Sequence, residues 1–90
     1  MGEHAKRVVF SVRWDTEADE VRWRILRDGE NIDRSGFKKV AVRVAAQYCR
    51  DMLLSEGTPS ELMIYNKNGK LGRGSSSRRT FGKDSRKYRG

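Results

Sequence analysis

Side chains that commonly carry chemistry are scarce in this chain, which has one cysteine, one histidine and one proline among 90 residues. The lone Cys49 excludes an internal disulfide, and with no second thiol or histidine near it in sequence it offers no metal-ligand pair, a usage that fits a reducing compartment. His4 has no catalytic or ligating neighbour in sequence and reads as an exposed terminal side chain. No apolar run approaches the ~20 residues that cross a bilayer, and Met1–Arg7 lacks the apolar centre of a signal peptide, so the expected location is cytoplasmic with no membrane partner. Phosphate-loop spacing is missing as well. Gly72-Arg73-Gly74 is the nearest approach, and no predicted helix follows it. The acids gather in the polar loop around Glu17, Asp19 and Glu20, so no carboxylate pair sits in an apolar setting. These absences argue against an enzyme, and no catalytic residue, cofactor or metal site is assigned.

Charge is plentiful, and its placement is uneven. Of the 20 Lys+Arg and 12 Asp+Glu, residues 1–66 hold 11 of each, whereas residues 67–90 hold 9 basic residues against Asp84 alone. The net charge of +8 therefore lies in the last quarter. A balanced globule with a basic end is the pattern of a folded module carrying a polyanion-seeking or merely solvated segment.

The body is organised around one predicted helix, Phe37 to Glu56. Phe37, Val40, Ala41, Val44, Ala45, Tyr48 and Met52 recur at three- and four-residue steps and stack along one side. Ser35 is the expected N-cap, and Gly57 followed by Pro59 marks the end. Lys38 and Lys39 occupy the first turn, where they are either simply exposed or beside backbone N–H groups that could hold an anion. Val42, Ala46, Cys49 and Leu53 widen the apolar stripe beyond what one sheet face needs, which suggests a curled sheet or a second subunit.

The other apolar segments alternate like strands. Val8, Phe10, Val12 and Trp14 point one way, and Val21, Trp23 and Ile25 face them from a second strand, which leaves Arg13, Arg22 and Arg24 on the opposite side. Those arginines read as a solvated sheet face ahead of a basic platform for phosphates, and Trp14 and Trp23 as packing residues. Asp28 to Asn31 makes a turn, Ile32 to Arg34 a short third strand, and Ser60 to Asn66 a strand after the helix. Asn68-Gly69 is a hairpin turn that lets Leu71 start a return. The expected fold class is α+β: a small antiparallel sheet with one long helix packed across one face, in the order ββ(β)αβ(β). Residues 1–71 form the compact body, and residues 72–90 form a basic Gly/Ser/Arg-rich segment of which 78–83 returns to the sheet.

Several local strings carry a resemblance. A Trp-containing second strand leads to Gly29 and a polar turn, then to the Phe37-Lys38-Lys39 helix start with its alanines. Glu61-Leu62-Met63-Ile64-Tyr65, the Asn68-Gly69-Lys70 turn and Arg79-Thr80-Phe81-Gly82-Lys83-Asp84 follow. Together these span most of residues 6–84, and in them the chain resembles the short prokaryotic proteins classed as the domain-of-unknown-function family numbered 2188. That resemblance implies a helix packed on an antiparallel sheet and implies no activity.

The functional expectation is a small non-enzymatic binding module whose basic end contacts nucleic acid or another polyanion without reading sequence. Arg73, Arg78, Arg79, Lys83, Arg86, Lys87 and Arg89 would neutralise phosphates, and Phe81 and Tyr88 would stack on unpaired bases. An acidic protein is the other partner such a segment suits. The alternative is a protein-interaction module that forms a homodimer through a sheet edge or the wide helix stripe.

Overall fold

Alternation of apolar and polar side chains places the first strand, β1, at Val8–Trp14, with Phe10 and Val12 enclosed on one side. The computed structural model describes residues 7–82. It continues with β2 (Trp23–Arg27), β3 (Glu30–Ser35), α1 (Lys38–Glu56), β4 (Ser60–Ile64), a 3-10 turn at Ser75–Ser77 and β5 (Arg78–Phe81). The strands form one sheet in the order β3-β2-β1-β4-β5, and α1 crosses one face in contact with all five. The α+β class is the one read from the sequence.

The sheet is mixed, however, and not wholly antiparallel. β1 runs parallel to β4, while the other three pairs are antiparallel. A parallel neighbour requires a long crossover, and α1 supplies it by carrying the chain from β3 past β2 and β1 to the far side. β5 then pairs with β4 from Ser60↔Phe81 to Met63↔Arg78, so part of the basic segment, Arg78–Phe81, joins the sheet.

The helix packs through part of the stripe that periodicity favours, Ala41, Ala45 and Met52, together with Ala46 and Cys49 of the second apolar set. Its buried residues are Ala41, Ala45, Ala46, Cys49 and Met52, whereas Phe37 is 73% exposed and Val40 and Tyr48 also face solvent. The sheet already contributes Phe10, Val12, Trp23, Ile25, Leu62 and Ile64, so small helix side chains give the close approach that a densely packed interior demands. Phe37, not Ser35, is the N-cap and makes no side-chain cap; the Ser35 hydroxyl instead accepts the Phe37 N–H at 3.2 Å. The helix stops at Gly57, whose N–H donates to the Leu53 carbonyl at 2.9 Å.

Two local twists set which way side chains point. Val21 has φ 51° and lies outside β2, exposed, so it does not join the apolar layer. That twist also removes Arg22 from the outer face and brings it over the Trp14 ring, 5.4 Å from the centroid. Asp28 and Gly29, with φ 50° and 90°, make the tight two-residue turn between β2 and β3.

Candidate functional site

Side-chain parity assigns each residue of the sheet to the helix side or to the outer face, and strand register decides which of them meet. On the outer face Arg13 of β1 stands directly opposite Arg24 of β2, and Arg24 directly opposite Arg34 of β3. Three guanidinium groups thus form a row across three strands. Tyr65, hydrogen-bonded to the Val12 carbonyl through its own N–H, extends the row beside β1, and the Arg13 guanidinium lies 3.8 Å from its ring centroid. Arg78 of β5 projects from the same face opposite Met63.

The three members of the row have different partners. Arg34 donates to Asp15 Oδ2 at 3.1 Å, and the Asp15 carboxylate also accepts the Glu17 N–H at 3.0 Å. These two contacts, the backbone one first and Arg34 second, hold the Asp15 carboxyl below its ordinary range, with the field of Arg24 adding to them. Arg13 is stacked on Tyr65. Arg24 has an enclosed Nε with no hydrogen-bond partner among the described residues. The two ion pairs among the described residues are Arg34–Asp15 and Arg7–Glu61, so Arg13, Arg24 and Arg78 have no carboxylate within ion-pair distance there.

The sequence-predicted site residues are divided by the same parity. Arg73 is exposed beside the 3-10 turn, and Arg78 is exposed on the outer face. Arg79 turns to the helix side, half-buried, with its Nε donating to the Ser76 carbonyl at 3.0 Å. Phe81 is half-buried and packs against the hydrophobic core. Lys83, Arg86, Lys87, Tyr88 and Arg89 lie outside the described residues. Arg34 and Tyr65 were missed by sequence reasoning; the arginines alternating with apolar residues along the strands were the available signal, but only register aligns them.

Nucleophile and metal chemistry find little footing. Cys49 is fully buried, and burial pushes its thiol up from its ordinary value. Ser60 Oγ near the thiol pulls weakly the other way, yet it meets no partner at hydrogen-bond geometry, in keeping with the poor donor quality of sulfur. Among the described residues no group of three His, Cys, Asp or Glu side chains is placed to hold a metal ion, and no helix is long and apolar enough to cross a membrane. Compared with known proteins, the chain matches no family model, no curated protein and no solved structure, so the resemblance to family 2188 rests on its local strings.

Proposed function

We propose that this protein is a small non-enzymatic module that binds nucleic acid or another polyanion through phosphate contacts, without reading sequence. The observation that carries the reading is the row Arg13, Arg24 and Arg34. Like charges directly opposite one another in a sheet cost stability, about 0.2–1 kcal/mol for each pair, and an anionic partner turns that cost into affinity. Arg78 and the basic residues after Gly82 extend the same chemistry. The flat Arg13–Tyr65 stack adds a surface on which an unpaired base can lie.

Fluorescence anisotropy with a short labelled single strand and its duplex, over a series of salt concentrations, tests this. With about five phosphates engaged, log affinity falls against log salt with a slope near −3.5 on the single strand and −4.5 on duplex. Replacing Arg13 and Arg24 together flattens the single-strand slope by roughly 1.4. Binding that ignores salt, or that ignores those two arginines, sinks the proposal.

A homodimer is the second reading, and one observation favours it. Phe37, Val40 and Tyr48 leave an exposed apolar line on α1 above the edge strand β3. Light scattering that returns twice the 10.4 kDa chain mass, reverting to one on Phe37→Ser, would support it.

A further inference from the structure

On the helix side of the sheet, away from the arginine row, a wide-open cavity of about 480 Å³ lies between the first turns of α1 and the edge strand β5. Three cationic side chains from two elements line it: Lys38 and Lys39 from the helix and Arg79 from β5. Val42 and Ile64 give it an apolar floor, and Ser76 and Ser77 close the rim. No Asp or Glu belongs to this lining among the described residues.

Two of the cations are oriented without being neutralised. Lys38 Nζ donates to the Asn66 side-chain oxygen at 3.2 Å and lies 5.3 Å from the Trp23 ring centroid. Arg79 spends its Nε on the Ser76 carbonyl, which is also uncharged, and its two terminal nitrogens have no partner among the described residues. Such neutral anchors fix position and leave the full positive charge to act on a ligand.

The rim is built to a close tolerance. A Cβ on Gly72 would collide with Ser77 Oγ, so the 3-10 turn seats directly against a glycine backbone. Ser77 then donates its hydroxyl to the Arg73 carbonyl at 3.2 Å, which ties the turn that carries Ser76. The Ser76 side chain remains exposed at the mouth. The space exceeds a bare phosphate and suits a small ligand, for which pockets run roughly 300–1,000 Å³.

We propose that this cavity binds a phosphate monoester, with the dianionic group held by Lys38, Lys39 and Arg79 and the ester's carbon body resting on Val42 and Ile64. The assignment stands apart from the outer-face reading, since it uses other residues on the opposite side of the sheet. The same group could come from a small phosphorylated molecule or from the 5′-phosphate end of a nucleic-acid strand.

An amide-resolved NMR titration of the full chain separates these. The probes are inorganic phosphate, with sodium chloride at matched ionic strength as reference, and one short oligonucleotide prepared with and without a 5′-phosphate. Saturable shifts at residues 38–40 and 76–79 with phosphate, absent with chloride, are expected. Arg79→Gln should weaken them about tenfold, as loss of a charge-assisted contact does. Because Arg79 also anchors the turn, Lys39→Gln is the companion variant; it is exposed, keeps the fold, and should weaken phosphate severalfold. Arg50→Gln, an exposed helix cation outside both surfaces, should leave the phosphate response unchanged. A tenfold preference for the 5′-phosphorylated strand supports the pocket with a strand end as source, and equal strand affinities beside a saturating phosphate response support it with a small molecule. Shifts that are the same with chloride, or indifferent to both Arg79→Gln and Lys39→Gln, overturn it.

Discussion

Arg24 sits between two other arginines with one of its nitrogens enclosed and without a partner among the described residues. An enclosed unpaired donor costs about 1–3 kcal/mol, and two like-charge neighbours add to that. Arg24→Thr should therefore raise the melting temperature by several degrees, given about 4–8 °C per kcal/mol for a domain of this size, while polyanion affinity falls. Calorimetry together with anisotropy checks both halves, and a variant that is less stable and equally tight would refute the account. Asp15 works in the opposite sense. Its folded pKa is lowered, so its contribution to stability is fully present above the ordinary value of 3.8 and is lost as pH falls through the folded value. Melts between pH 2 and 5 should show a steeper acid loss for the parent than for Asp15→Asn. That variant also removes the carboxylate that Arg34 pairs with, so at neutral pH it should bind polyanions more tightly.

Among elements, β5 shows how a short strand is positioned. Gly82 follows it with φ 98°, and a Cβ there would lie 2.9 Å from the Pro59 Cβ and 3.1 Å from its Cα. Gly82→Ala should cost about 1–3 kcal/mol, combining backbone strain with that collision, and denaturant melts will show it as a lower midpoint at unchanged slope. Strand alternation was legible wherever one face is buried: Val8 to Trp14, Trp23 to Ile25 and Leu62 to Ile64 all point as their parity indicates. The helix was legible in extent and only partly in rotation. Ala41, Ala45 and Met52 of the expected stripe are buried, but the bulk already supplied by Phe10, Trp23 and Leu62 turns the small Ala46 and Cys49 inward and leaves Phe37, Val40 and Tyr48 exposed. Pairing direction was not legible, because alternation records which face a residue takes and nothing about its neighbour strand. The same gap hid the arginine row: each arginine is visible in the sequence, and their alignment exists only in the register.

For the whole molecule, the basic C-terminal quarter is part structural and part surface. β5 covers the outer side of β4, and Phe81 packs on the core, so truncation after Gly74 should abolish cooperative unfolding and not merely remove a binding tail. Circular dichroism of the truncated chain tests this; a native-like melt would contradict it. Parity sends Arg78 to one side of the sheet and Arg79 to the other, so a run of adjacent cations serves two separate surfaces.

The parallel pairing of β1 with β4 also has a consequence for biosynthesis. Val8 finds Ser60 only after about two-thirds of the chain has been made, so the β4-facing edge of the strand destined for the middle of the sheet is meanwhile a bare rim. At roughly 5–20 residues per second that interval lasts a few seconds on the ribosome, long enough for the β4-facing backbone groups of Val8, Phe10 and Val12 to template a stray strand from a neighbouring nascent chain. Slow-translating codons between residues 15 and 60 should accordingly lower the soluble yield, whereas the same codons after residue 64 should not.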